Sequence, residues 1–135
     1  MKSALPKVLH PIAGTSMVRR VVQAARQLDA QAQVTLVIGH GAEAVQTHFT
    51  DTQKIQFALQ ADQLGTGHAV QCAVPCLGES PVTLILYGDV PLIQPDSLKP
   101  LVESARAGHV GLMTLTLSDP TGYGRIVRDA DGSVK

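Results

Sequence analysis

An α/β domain, with a mostly parallel sheet covered by helices on both faces, is the fold predicted for this chain of 135 residues by two features of its apolar pattern. Short β-branched runs occur without the polar alternation of a half-solvated strand. Between them lie stretches with apolar residues at three- and four-residue spacing, the period of a helix with one buried face. Alternation of these two signals along the chain indicates strands shielded on both sides rather than a sandwich or a bundle.

Taken in order, Val18, Val21, Val22, Ala25 and Leu28 mark the first helix, with Ser16 placed to cap it. Residues 34–38 read as a buried strand ending at Gly39, followed by a helical stripe at Ala42, Val45 and Phe49. A weaker strand spans 55–59, and Ala69, Val70, Ala73 and Val74 mark the next helix. The strongest strand signal is 82–87 (V-T-L-I-L-Y), opened by Pro81 and stopped by Gly88. Leu98, Leu101, Val102 and Ala105 give a further helix with Asp96 as its expected N-cap, and strands are expected at 111–117 and 125–128. No internal repeat, low-complexity tract or linker divides the chain, so it reads as one α/β domain or part of one.

Composition narrows the function classes. Lys plus Arg equals Asp plus Glu, at 11 each, so no net field draws in nucleic acid or an anionic membrane. Two Tyr and two Phe supply few stacking platforms for bases. No apolar run approaches the ~20 residues needed to cross a bilayer. The first ten residues lack the apolar centre of a secretory signal, which, with two cysteines, leads us to expect a reducing cytoplasm.

Ligands of an open parallel sheet gather outside the carboxyl ends of its strands, so the loops there hold the candidate residues. In Y-G-D-V-P, Gly88 lets the backbone approach a ligand and Asp89 offers a carboxylate of the kind magnesium takes alongside phosphate oxygens; a turn-capping aspartate fits equally well. In L-Q-A-D-Q-L-G-T-G-H, Gly65 and Gly67 flank Thr66 at a helix start, and Gln60 offers the donor and acceptor that a uracil edge needs; an ordinary helix start with a Thr cap is the competing reading. Lys7 lies between Pro6 and Pro11 in a stiffened, non-helical stretch, where its ammonium could neutralise a phosphate or be only a solvated charge. D-P-T-G-Y-G-R, residues 119–125, is a turn between two strands that could wrap a sugar or simply reverse the chain.

Two further patterns compete. Gly39-His40-Gly41-Ala42-Glu43-Ala44 matches the G-x-G-x-x-A of a nicotinamide dinucleotide fold, and Asp62 lies 23 residues beyond Gly39, near the offset of a ribose-binding acid. His68, Cys72 and Cys76 recur every four residues on one helical face, a spacing compatible with zinc, although Pro75 interrupts the same turn. His10, His40, His48 and His109 have no Ser or Cys nucleophile at a recognisable spacing, and no catalytic role is assigned to them.

L-P-K-V-L-H-P-I-A-G, V-I-G-H-G, Q-A-D-Q-L-G-T-G-H-A, L-Y-G-D-V-P-L-I and D-P-T-G-Y-G-R-I, in this order and along essentially the whole chain, resemble the bifunctional UDP-N-acetylglucosamine pyrophosphorylase/glucosamine-1-phosphate N-acetyltransferase family. The resemblance implies a Rossmann-like nucleotidyltransferase domain that makes UDP-N-acetylglucosamine and pyrophosphate from UTP and N-acetylglucosamine 1-phosphate, with Mg2+ as cofactor, in cell-envelope precursor synthesis. By the same resemblance Lys7 contacts phosphate, and Gln60, Gly65 and Thr66 hold the uridine. Tyr87, Gly88 and Asp89 form the nucleotide and metal site with Asp89 as the magnesium ligand, and Gly124 lines the sugar pocket. Lys7 and Asp89 are the expected catalytic pair.

The resemblance also carries departures. The family's glycine-rich L-A-A-G-x-G-T-R-M signature is represented here by its final Met alone, and its second metal ligand, an Asn, is not reached. We therefore expect residues 1–135 to be a partial uridyltransferase domain without the first central strand and without the acetyltransferase β-helix through which the family forms homotrimers. Poor stability and loss of activity follow as expectations, as does the alternative of a non-catalytic remnant.

Overall fold

The computed structural model describes residues 5–80 and 82–134. Eight elements follow one another: β1 (Pro11–Ile12), β2 (Thr15–Ser16), α1 (Met17–Leu28), β3 (Val34–Ile38), α2 (Ala42–His48), β4 (Ile55–Leu59), α3 (Thr66–Ala73) and α4 (Pro95–Arg106). Short 3-10 turns at Lys7–Leu9 and Val74–Cys76 precede β1 and follow α3.

The predicted β-α-β unit is present. β3 and β4 are parallel, with Val34 opposite Ile55 and Ile38 opposite Leu59, and α2 makes the crossover between them. Leu9, Val18, Val22, Ile38, Val45 and Phe49 form the buried core, with Val34, Leu36, Ile55 and Phe57 packed against it. Side chains alternate across a strand, so α1 and α2 cover the face that carries these residues. Ala58, buried and of opposite parity, lies on the other face, where α3 packs with its own buried Ala73. Both faces of this pair of strands are thus covered, as the unbroken apolar runs require.

α1 begins as expected. The Ser16 hydroxyl accepts from the Arg19 N–H at 3.4 Å, and it also meets His48 Nε2 at 2.8 Å, which ties the start of α1 to the end of α2. Arg19 reinforces the tie: it donates to the His48 carbonyl at 2.6 Å, pairs with Asp51 at 3.0 Å and lies 5.2 Å from the centre of the Phe49 ring. α4 docks on α1 through Leu98, only 1% exposed.

Several expectations change. The stretch around Lys7 is helical in the 3-10 sense, closed by Leu9 N–H to Pro6 O at 2.9 Å. It leads into a hairpin the sequence did not announce, in which Pro11 faces Ser16 and Ala13 and Gly14 take φ values of 47° and 80°. Two positive φ values are the requirement of a primed two-residue turn, and Asn-Gly is its usual sequence rather than Ala-Gly. Asp96 is not the cap of α4: Gln94 holds that position, and Asp96 pairs with Lys99 at 2.6 Å inside the first turn. Nor is Thr66 a cap, because Gly65 precedes it there and α3 starts at Thr66 itself.

The largest change concerns the later strands. Among the described residues, 82–87, 111–117 and 125–128 join no strand ladder, and one isolated antiparallel bridge links Arg128 to Val134. Segment 82–87 keeps the period-two burial of a strand, with Val82, Leu84 and Leu86 half-buried and Thr83, Ile85 and Tyr87 exposed. Strand propensity is a property of the run itself, whereas a ladder needs a neighbouring backbone, and none of the described residues supplies one. Pro81, expected to open this strand, lies outside the described residues.

Candidate nucleotide-binding rim

Four chain segments meet along one rim at the carboxyl ends of β3 and β4. At one end, Lys7 Nζ lies 2.8 Å from Asp89 Oδ2, which joins the first 3-10 turn to the loop after residues 82–87. Gly88 sits so close beneath that a Cβ there would be 3.4 Å from Val8 and 3.7 Å from Val18 of α1. The Lys7 hydrogen bond holds the Asp89 carboxyl below the ordinary aspartate range, against the opposing effect of desolvation. Asp89 is therefore ionised at neutral pH, 39% exposed and facing an ammonium that is 62% exposed.

The middle of the rim is the turn between β3 and α2. Gly41 caps α2 with φ +73°, and a Cβ on it would lie 2.5 Å from Cγ of Pro6, next in sequence to Lys7. A Cβ on Gly39 would lie 3.2 Å from the Gln60 carbonyl oxygen. The two glycines of the G-x-G pattern thus serve close approach of Pro6 on one side and of the β4 end on the other. The space against Gly41 that a dinucleotide fold gives to pyrophosphate belongs here to the Pro6 ring. Asp62 is exposed.

At the far end, Gln60 follows β4. Its Nε2 donates to the Gly65 carbonyl at 3.0 Å and lies 3.1 Å from His68 Nδ1. Gly65 has φ +98°, a backbone conformation that a side chain would strain, and from it α3 departs with Thr66 exposed in its first turn. Tyr87 stands exposed beside Gly88.

Lys7, Gly88 and Asp89 are thus brought together, as are Gln60, Gly65 and Thr66, and the turn 39–41 bridges the two groups. Gly124 does not join them. It lies in an exposed loop held within itself, where the Arg125 guanidinium donates to Pro120 O at 2.8 Å and Tyr123 O at 2.6 Å, and a Cβ at Gly124 would meet nothing within 4 Å. The 119–125 turn itself forms as read, with Thr121 N–H donating to Asp119 at 3.1 Å, but no strand ladder flanks it among the described residues.

The zinc pattern is not assembled: among the described residues no group of three His, Cys, Asp or Glu side chains could hold a metal ion. His68 Nε2 lies 3.7 Å from Cys72 Sγ, while Cys76 sits in the following 3-10 turn. Sequence reasoning missed two contributors to the rim, Pro6 as the partner of Gly41 and His68 as the partner of Gln60. The first had no local signal, because 35 residues separate the pair. The second did have one, a histidine one turn into the helix that follows the Gln60 loop. Among the described residues, no helix is long and apolar enough to cross a membrane.

Comparisons with known proteins identify the family. The family model of the MobA-like NTP transferase domain matches residues 1–124. The chain is 55% identical over 134 residues to the bifunctional protein GlmU of Burkholderia ambifaria (strain MC40-6), covering 99% of this chain and 29% of that protein. It is 57% identical, with the same coverage, to the bifunctional protein GlmU of Pseudomonas fluorescens (strain Pf-5). The chain thus spans less than a third of the length of these curated relatives. A β-α-β unit with its polar and glycine-rich loops at the strand ends, matched by that family model over most of the chain, places this protein in the MobA-like NTP transferase domain family, a family of nucleotidyltransferases.

Proposed function

We propose that this site serves uridylyl transfer from UTP to N-acetylglucosamine 1-phosphate, giving UDP-N-acetylglucosamine and pyrophosphate. The observation that carries the reading is the Lys7–Asp89 pair, an exposed ammonium 2.8 Å from an ionised carboxylate on the same rim as Gln60. The choice of uridine and of the amino sugar rests on the five motifs in register, and the 55% identity to a GlmU protein supports it.

In this reading Gln60 and the Gly65 backbone hold the uracil edge, and Thr66, in the first turn of α3, presents its N–H toward the nucleotide. Lys7 turns from Asp89 to the phosphates, where its charge offsets what develops on the oxygens as the sugar phosphate attacks the α-phosphorus in line. No protein nucleophile is needed, which agrees with a rim built of Lys, Asp, amide and glycine. Magnesium fits Asp89: a hard ion takes one or two carboxylates with phosphate oxygens, and a single ionised carboxylate without a closed ligand cage is that kind of donor set. The ion, when bound, would supply charge neutralisation and orientation at the phosphates. Gly124 lies in an exposed loop where a Cβ would meet nothing within 4 Å, and it contributes no sugar contact in the arrangement described, so we expect binding to outlast turnover in this chain.

Calorimetric titration with UDP-N-acetylglucosamine plus magnesium tests the reading. We expect saturable binding that Asp89→Ala weakens by roughly tenfold, the weight of one charge-assisted contact. No binding of the sugar nucleotide, with binding of NADH instead, would return the 39–44 turn to the dinucleotide reading. Silence with both would leave the chain as a non-catalytic remnant.

A further inference from the structure

Gln60 meets two acceptors inside the protein, and the consequence falls on its oxygen. The Gly65 carbonyl lies 3.0 Å from Gln60 Nε2. A carbonyl only accepts, so the Gln60 atom there is the amide nitrogen, and one of its two hydrogens is engaged. Side chains of a helix tilt toward its N-terminus, and His68, in the first turn of α3, reaches back to the same nitrogen with Nδ1 at 3.1 Å. The second hydrogen goes to Nδ1, which fixes the ring tautomer with its proton on Nε2. The Cys72 sulfur, a weak acceptor 3.7 Å from Nε2, fits that tautomer. What Gln60 has left is Oε1, which among the described residues has no hydrogen-bond partner and is not sealed from solvent. An acceptor alone discriminates between pyrimidines. In uracil the ring N3 carries a hydrogen and can donate to Oε1, whereas in cytosine the same N3 is a bare acceptor and is repelled. Turning the amide over would admit cytosine, but it would set Oε1 against both the Gly65 oxygen and the Nδ1 lone pair.

We propose that His68 is the specificity-positioning residue of this rim: it holds the Gln60 amide in the orientation that accepts from a ring N–H, and thereby selects a uridine over a cytidine nucleotide. This role rests on the uridylyl-transfer reading and names the residue that makes its choice of base. Gly65 alone would leave one amide hydrogen free to face the ligand. With His68 in place, neither hydrogen is available, and the site reads the base through oxygen only.

The test titrates the chain with UTP and with CTP, each with magnesium, and reads the ratio of the two affinities. The parent should prefer UTP. His68→Leu, which removes the acceptor, should lower that ratio about fivefold, the weight of one neutral hydrogen bond. His68→Asn, whose side-chain oxygen falls where Nδ1 was, should keep it. Nitrogen-15 spectra of the ligand-free parent test the arrangement without any substitution. His68 Nδ1 should be unprotonated, and a scalar coupling should link it to Gln60 Nε2 across the N–H···N bond. A parent ratio retained in His68→Leu, a parallel loss of both nucleotides in that variant, or a proton found on Nδ1 would each overturn the proposal. A parent that binds neither nucleotide would sink the uridylyl-transfer reading and this role with it, an outcome distinct from a UTP preference that ignores His68.

Discussion

The carboxylate of Asp89 and the ammonium of Lys7 face each other at 2.8 Å with water reaching both. Exposed pairs contribute only ~0–1 kcal/mol, so this contact matters less for stability than for where it keeps charge. The Lys7 hydrogen bond lowers the Asp89 carboxyl below its ordinary value, so over that range the unfolded chain binds more protons than the folded one. The pair's small stabilisation is complete above roughly pH 4, the unfolded value, and is lost as pH falls through the lowered folded value. A carbon-13 titration of the Asp89 carboxyl should show its midpoint rise in Lys7→Met; identical midpoints would mean the pair does not form in solution. The same variant separates the two partners' roles by sign. Without the ammonium, Mn2+ read by electron paramagnetic resonance should bind the nucleotide-free chain about threefold more tightly, because a competing cation has gone. Binding of UTP should weaken about tenfold, because a phosphate has lost its partner. Changes of the same sign for both ligands would refute that division. The sequence picked out Lys7 and Asp89 separately, each beside a plausible alternative role. Only the family resemblance set both in one catalytic site, because nothing local to either encodes a contact across 82 residues.

At the scale of elements, legibility follows how far each signal reaches along the chain. Helices α1 to α4 were readable because apolar spacing and helix-start residues act within one or two turns. β3 and β4 were readable because a short crossover leaves them little choice of partner. The later runs, equally rich in β-formers, join no ladder among the described residues, since propensity does not supply a neighbour. The Pro11 to Ser16 hairpin was invisible for the opposite reason: Ala13 accepts φ 47° against its preference, in an exposed turn whose Ile12 carbonyl accepts from the Arg20 guanidinium at 2.6 Å. Two substitutions test how elements are joined. Ser16→Ala deletes both the α1 cap and the partner of His48 at 2.8 Å, and should lower unfolding free energy by about 1–2 kcal/mol in urea. A loss under ~0.3 kcal/mol would show that neither bond survives in solution. Gly41→Ala adds both positive-φ strain and a Cβ 2.5 Å from Pro6, so the Pro6–Lys7 segment must move. We expect ~1–2 kcal/mol of destabilisation together with loss of the Asp89 carboxyl shift. Strain alone would bring the first without the second.

For the molecule as a whole, burial is unevenly distributed. Leu9, Val18, Val22, Ile38, Val45 and Phe49 close one core around α1, α2 and the β3–β4 pair. From residue 107 onward nearly every position is exposed, and Val110 at 95% and Leu115 at 71% show apolar side chains to water. Backbone segments without ladders and with few buried side chains open at little free energy, whereas a packed unit opens only near the global limit. Exposed apolar surface on 82–87 and 110–115 should also make the chain self-associate and bind hydrophobic dyes at neutral pH, where its net charge is zero. Native-state hydrogen exchange resolves the two parts directly. Amides of α1, α2, β3 and β4 should be protected at least about a hundredfold more strongly than those of residues 107–134, a gap of ~2.7 kcal/mol in opening free energy. Adding UDP-N-acetylglucosamine with magnesium should slow exchange around Gln60–Gly65 and Asp89 while leaving 119–125 unchanged, because Gly124 is not brought to the rim. Protection spreading to the 119–125 turn on ligand binding would show instead that the nucleotide gathers this segment into the site, and that the rim is only its first half.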